Sequence, residues 1–170
     1  MLMTPACTRI VHFARTAYPC LGHSFLSSAH LLLGFLKLNS DQWADLKKAR
    51  LTFESVKEYL RSHPLRPEQT RRVNDLTLGE SAKLAINRAK KTAKKNREQV
   101  VWTLHLWQAL LEEEEGPASE VLDAHEVDRV KFREHLSEQL SAAELARREK
   151  RRKRRLDRDK ELRPEFWADP

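Results

Sequence analysis

The sequence predicts an all-α protein made of two pseudo-twofold-related four-helix repeats, eight helices in all, with a basic C-terminal tail that is either helical or disordered. Three observations carry this. Apolar residues recur at spacings of three and four with almost no polar–apolar alternation. The run SAHLLLGFL, Ser28 to Leu36, returns as TLHLWQALL at Thr103 to Leu111, 75 positions later, so that His105 stands where His30 stood. Charge is also segregated: residues 146–170 hold 11 Lys/Arg against 6 Asp/Glu, a net +5, whereas residues 1–145 hold 21 against 19, a net +2.

The first repeat is expected over residues 1–62. Thr4 caps a helix with Pro5 in its first turn, and Ile10, Phe13, Ala14 and Ala17 form its apolar stripe. Gly22 ends that region. Ser28 is placed to cap a second helix, apolar on nearly every side from His30 to Leu36, as a helix buried among others must be. Ser40 can cap a short helix with Trp43 and Leu46, and Thr52 another with Phe53, Val56, Tyr59 and Leu60. His63-Pro64-Leu65-Arg66-Pro67 breaks the pattern, and residues 63–76 are read as a linker.

The second repeat is expected over residues 77–140. Thr77 and Glu80 have the spacing of a capping box. The helix that follows has Leu84, Ala85, Ala89 and Ala93 on its apolar side and Arg88, Lys90, Lys91, Lys94 and Lys95 on a solvated basic side, with Asn96 as its stop. Thr103 caps the next helix, Gly116-Pro117 opens another, and Asp128 caps a last one through Phe132, Leu136 and Leu140. The halves agree beyond the quoted words. Ala14 falls on Ala89 and Leu36 on Leu111; with a shift of one residue, Thr52 falls on Asp128 and Leu60 on Leu136. Matched caps around a matched run point to duplication, and two copies can bury one shared core.

This order, a small-residue helix, Gly-His, a cap, His-Leu-Leu-Leu, a short helix and a terminal one, given twice from about Thr4 to Leu140, resembles the double Clp repeat at the N-terminus of AAA+ unfoldases of the ClpA, ClpB and ClpC type. The resemblance implies a non-catalytic module that recognises substrate or adaptor proteins for an ATP-dependent Clp-type unfoldase or protease. No GxxxxGK(S/T) phosphate loop occurs, so ATP hydrolysis is expected of another chain. The family commonly has Glu before each motif histidine, and in the ClpC branch those carboxylates are associated with phosphoarginine. Here Ala29 and Leu104 stand there, and neither can pair with a guanidinium. Apolar contact is expected instead, with Ser28, Ala29, Thr103 and Leu104 as the protein-binding surface.

His30 and His105 sit in apolar helices with no further ligand at metal spacing, so a structural role is expected and no metal, cofactor, catalytic residue or small-molecule substrate. Cys7 and Cys20 lie about 20 Å apart on one helix, too far to bridge. Four like charges at a helix end are usually solvated, but Glu112 to Glu115 oppose the helix dipole, so the run is expected to break the helix or face a cation or partner. The opening residues do not resemble an export signal, and there is no run of 18 apolar residues, so a cytoplasmic location without membrane contact is expected. The tail, residues 141–170, carries Arg147, Arg148, Lys150, Arg151, Arg152, Lys153, Arg154 and Arg155, which would attract nucleic acid or an acidic partner. The alternative function is therefore a nucleic-acid-associated protein that uses this tail, with the repeats as scaffold. Phe166-Trp167, near the end, either folds back or serves as a docking motif.

Overall fold

The computed structural model describes residues 1–39, 50–73 and 76–162. Among these, seven helices form: α1 (Pro5–Cys20), α2 (Ser28–Asn39), α3 (Phe53–Ser62), α4 (Glu80–Lys95), α5 (Thr103–Leu111), α6 (Pro117–Ala124) and α7 (Arg129–Leu162). Four short strands accompany them: β1 (Leu2–Met3), β2 (Thr70–Val73), β3 (Leu76–Gly79) and β4 (Val100–Val101). The expected helix of Trp43 and Leu46, like Phe166-Trp167, lies outside the described residues.

The chain divides into two compact units, Met1–Arg129 and Val130 onward. Within the first, the offset of 75 is structural. α1 and α4 start and end 75 positions apart, as the starts of α2 and α5 do. The strands make the relation reciprocal. β1 pairs in parallel with β4, Met3 opposite Val101, while Leu78 of β3 bridges in parallel to Leu26, the position equivalent to Val101. The Thr4 amide donates to the Val101 carbonyl at 3.0 Å, and its equivalent, Gly79, donates to the Leu26 carbonyl at 2.8 Å. Each repeat thus lends its entry strand to the other, which ties the halves together about a pseudo-twofold axis.

Residues 63–76, expected as linker, contain β2, which pairs antiparallel with β3 from Thr70–Gly79 to Val73–Leu76. Strands of four residues are too short for alternation to show in the sequence. The same hairpin overturns the capping box at Thr77. Thr77 lies in β3 opposite Arg72, and the N-cap of α4 is Gly79, which has no side chain to offer.

α1 packs on α2 and α4 on α5, and α2 lies centrally, touching α3, α4, α5 and α6. At the centre Phe35 of α2 stacks on Trp107 of α5, ring centroids 4.7 Å apart and planes 6° from parallel; both are 0–1% exposed. Large, rigid rings from both repeats therefore share one core. Packing elsewhere is compensated. Gly34 admits the backbone of α1 so closely that a Cβ there would meet the Ile10 carbonyl oxygen at 2.7 Å. The equivalent pair in the second repeat is Ala109 and Ala85, both buried, so the bulk that the first repeat places on α1 alone is shared between the two helices in the second.

The second unit consists of α7 from Val130. Its first turns bury Phe132 and Leu136, and the helix continues through the basic residues to Leu162.

Candidate functional site: the junction of helix N-termini

The doubled histidines have one local job. Ser27, not Ser28, is the N-cap of α2, since its carbonyl accepts from the His30 and Leu31 amides. His30 is then the third helical residue, and its Nδ1 accepts from the Ser27 amide at 3.0 Å. In α5 the N-cap is Trp102, not Thr103, and its amide donates to Nδ1 of His105 at 3.1 Å. In both repeats an imidazole does what Glu does in a capping box, holding the N-cap amide. The expected caps were each one residue late because Ser28 and Thr103 carry cap-type side chains beside the true caps.

Nδ1 of His30 accepts, so in the neutral ring Nε2 carries the proton and donates to Nδ1 of His23, 2.8 Å away. His23 in turn bonds the Leu60 carbonyl. Burial, and then the field of His23, push His30 down to about 3; burial also lowers His23, against the Leu60 bond. The chain of bonds therefore runs from the α2 cap to the end of α3 through two neutral imidazoles. Ser27 Oγ lies 2.9 Å from His30 Nδ1, but both residues are fully buried, so the pair offers no nucleophile to solvent.

Three helix N-termini meet beside this cap. Ser28 Oγ donates to Glu113 Oε1 at 2.7 Å, and the Ala118 amide at the start of α6 donates to both oxygens at 3.1 Å. The Ser28 amide donates to Ser81 Oγ at 3.0 Å; Ser81, at the start of α4, gives its amide and hydroxyl to Glu68 at 2.6 and 2.9 Å. Two carboxylates thus satisfy backbone amides that each helix start leaves unpaired, where the helix dipoles favour negative charge. Burial raises the Glu113 carboxyl, opposed by its bonds from Ser28, Ala118 and Ser119 and by Arg88. Glu113 is 3% exposed, so within the run Glu112 to Glu115 it is not solvated but faces helix starts of its own chain.

The expected binding surface is only half present. Ser28 and Ala29 are completely buried, because they lie inside this junction, and they cannot form a surface. Thr103 and Leu104, the equivalent start of α5, are half-buried. Sequence equivalence hid the asymmetry: the starts of α4 and α6 cover the start of α2, whereas the start of α5 stays half-open. Beside the junction a surface hollow of about 300 Å³ opens, with apolar walls from Pro67, Leu84 and Pro117 and the carboxylates of Glu80, Glu115 and Glu120 around them. None of these was read as a site, since the wall residues come from three separate segments.

Other residues fall as follows. Cys7 is buried, its thiol pushed up to about 11 by burial, and Cys20 is exposed; both are free. Among the described residues no group of three His, Cys, Asp or Glu is placed to hold a metal, and no helix is long and apolar enough to cross a membrane. Arg147, Arg148, Lys150, Arg151, Arg152, Lys153, Arg154 and Arg155 all lie on α7, where Lys153 is exposed.

A strand-exchanged pair of helical repeats, each with a histidine-capped helix in its core, defines an α-helical repeat domain. Residues 77–157 match the Clp repeat (R) N-terminal domain family. The N-terminal domain of the caseinolytic protease associated chaperone ClpD from Arabidopsis thaliana is similar in fold, with a TM-score of 0.63 at 21% identity over 86% of this chain and 94% of that one. So is the Hsp104 N-terminal domain from Candida albicans, with a TM-score of 0.64 at 17% identity over 80% of this chain and 89% of that one. No curated protein matches the chain significantly. Residues 77–157 thus carry the Clp repeat sequence, and the two halves together share the fold of these chaperone N-terminal domains.

Proposed function

We propose that this chain is a non-catalytic protein-interaction module that presents substrate or adaptor proteins to a Clp-type ATP-dependent unfoldase or protease. The observation that carries the reading is the Clp repeat at residues 77–157 within a complete strand-exchanged pair. The structural neighbours, the N-terminal domain of a caseinolytic-protease-associated chaperone among them, favour the same class of partner. The serine and histidine groups brought together are buried and engaged in capping, which fits a binding role rather than a chemical one. Phosphoarginine is not the ligand of this reading. Leu104 offers no carboxylate, and Ala29 is buried as well as apolar.

The test is affinity capture from the native extract with the full chain, and with a full-length variant in which the eight basic residues from Arg147 to Arg155 are changed to Gln. Each capture is done with and without nuclease. Recovery of a Clp-type ATPase or its protease by both proteins supports the module. Partners held only by the unmodified chain and lost on nuclease treatment would establish instead the nucleic-acid role of the basic tail.

A further inference from the structure

The charge of α4 is set apart from everything around it. Residues 81–97 contain seven Lys/Arg and no Asp/Glu, whereas the rest of residues 1–145 contains 14 Lys/Arg against 19 Asp/Glu, a net −5. A stripe of fully buried alanines, Ala82, Ala85, Ala89 and Ala93, faces the core. At about 100° per residue, Leu84, Lys91 and Lys95 fall within a narrow arc on the opposite side, with Lys94 beside them. All four are exposed, Leu84 at 44%, and among the described residues no carboxylate pairs with the three lysines. The ridge from Leu84 to Lys95 is straight and about 16 Å long, three helical turns.

Its two ends differ in sign. Leu84 also lines the hollow, where Glu80, Glu115 and Glu120 face Pro67 and Pro117. Glu80 is held by Lys83 and Glu120 by Arg66, while Glu115 is exposed. A nucleic-acid backbone, uniformly negative, would gain at Lys91, Lys94 and Lys95 and be repelled two to three turns away at these carboxylates. It would also leave Leu84 and the proline walls unused. A polypeptide can vary its chemistry along its length.

We propose that the exposed ridge of α4, from the hollow at Leu84 to Lys95, is the docking face for an amphipathic helical segment of a partner protein. That segment places an apolar side chain against Leu84, Pro67 and Pro117 and acidic side chains along Lys91, Lys94 and Lys95. The inference names the partner chemistry for the interaction module proposed above, and it rests on that reading only in taking the partner to be a protein.

The probe is a labelled alanine-based helical peptide of about 18 residues, about 27 Å long, with two leucines one turn apart at one end and glutamates over the remaining turns. Binding to the full chain is followed by anisotropy at about 50 and 300 mM salt, beside a duplex DNA of about 20 base pairs. Reversing two exposed charges, Lys91→Glu with Lys95→Glu, should weaken peptide binding roughly ten-fold at low salt, and Leu84→Ser a few-fold at either salt. Circular dichroism should be unchanged, since all three side chains are exposed. Equal peptide binding by the charge-reversed and unmodified chains overturns the proposal. So does a loss of duplex binding in that variant as large as its loss of peptide binding. Neither failure touches the module reading, which stands or falls on capture of the Clp-type ATPase by the unmodified chain.

Discussion

In the first repeat Gly22 turns the chain out of α1 at φ +79; in the second, 75 positions on, Arg97 turns it out of α4 at φ 55. Both turns close the same bonds. The His23 amide reaches the Tyr18 carbonyl at 3.0 Å, and the Glu98 amide reaches the Ala93 carbonyl at 2.8 Å, the long bond of a Schellman ending. The helix starts diverge in the same manner. Thr4 caps α1 with its own hydroxyl, accepting from the Cys7 amide, whereas Gly79 leaves that work at α4 to Glu68 from a different segment. The comparison teaches that the backbone solution was kept while the side chains supplying it were free to change, provided some group met each exposed amide or carbonyl.

The core is where the repeats cannot be exchanged, and it should show the largest effect. Trp107→Ala removes a fully buried ring stacked on Phe35 and should cost about 3–5 kcal/mol by denaturant unfolding. Leu32, its equivalent in α2, is as buried but smaller, and Leu32→Ala should cost about 2–4 kcal/mol. A Leu32 variant less stable than the Trp107 one would place the centre of the core in the first repeat alone.

The contact of α1 with α2 comes next. Gly34→Ala drives a methyl toward the Ile10 carbonyl oxygen, a backbone atom that cannot rotate away, so the helices must separate at a cost of about 1–3 kcal/mol. In the second repeat the reverse change, Ala109→Gly, removes a buried methyl and adds backbone freedom to the unfolded chain, at about 1 kcal/mol. Thermal unfolding of the two variants measures how far the close approach is confined to one repeat; a neutral Gly34→Ala would refute it.

The histidine cap of the first repeat makes stability depend on pH. His30 has an ordinary value of 6.5 and is held at about 3 when folded, so between these values the unfolded chain binds the proton and the folded chain does not. Stability therefore falls as pH drops from about 6.5 toward 3. Glu113 works in the opposite direction: its folded carboxyl holds its proton above the ordinary 4.5, so its contribution declines as pH rises through that window. Below pH 4.5 only the histidine side remains, and acid unfolding should steepen there. His30→Gln should flatten that limb at little cost at pH 7, because the glutamine amide oxygen can still accept from the Ser27 amide but takes up no proton. Glu113→Gln should make the decline between pH 6.5 and 4.5 steeper. Denaturation midpoints across pH 3 to 8 separate these outcomes, and an unaltered profile for His30→Gln would exclude the relay as the acid-sensitive element.

The fold was legible in the sequence to the extent that it rests on long periodic runs. The doubled His-Leu words placed α2 and α5, and the offset of 75 placed α1 against α4, because a buried helix must be apolar over several turns. The strand exchange was not legible: it uses two or three residues at a time, and what marks Leu26 and Val101 is their partner, not their neighbours. The site was legible least. Glu113 looks like the exposed Glu114 and Glu115 until α6 turns back over it, and Ser28 looks like Thr103 until the starts of α4 and α6 are seen to cover it. Repetition predicts equivalence, and the junction of helix starts lies where equivalence is broken.

The smallest effect has the opposite sign. Arg97 occupies a left-handed conformation that crowds its Cβ against the following carbonyl, a strain of about 1–2 kcal/mol that glycine at position 22 does not carry. Arg97→Gly removes the strain and returns part of the gain to the unfolded chain as added backbone freedom, leaving about 0.5–1 kcal/mol of net stabilisation. Gly22→Arg, the converse, should destabilise by a similar amount, although open space surrounds the glycine, because the penalty arises in the backbone and not in packing. The two changes together would give each repeat the other's turn, and their effects should nearly cancel, since the sites lie at equivalent ends of different helices and share no contact that the turns depend on. If Arg97→Gly instead weakened the fold, the arginine side chain would have to be stabilising the second repeat by more than its backbone strain, and the turn of α4 would have acquired a role that the turn of α1 lacks.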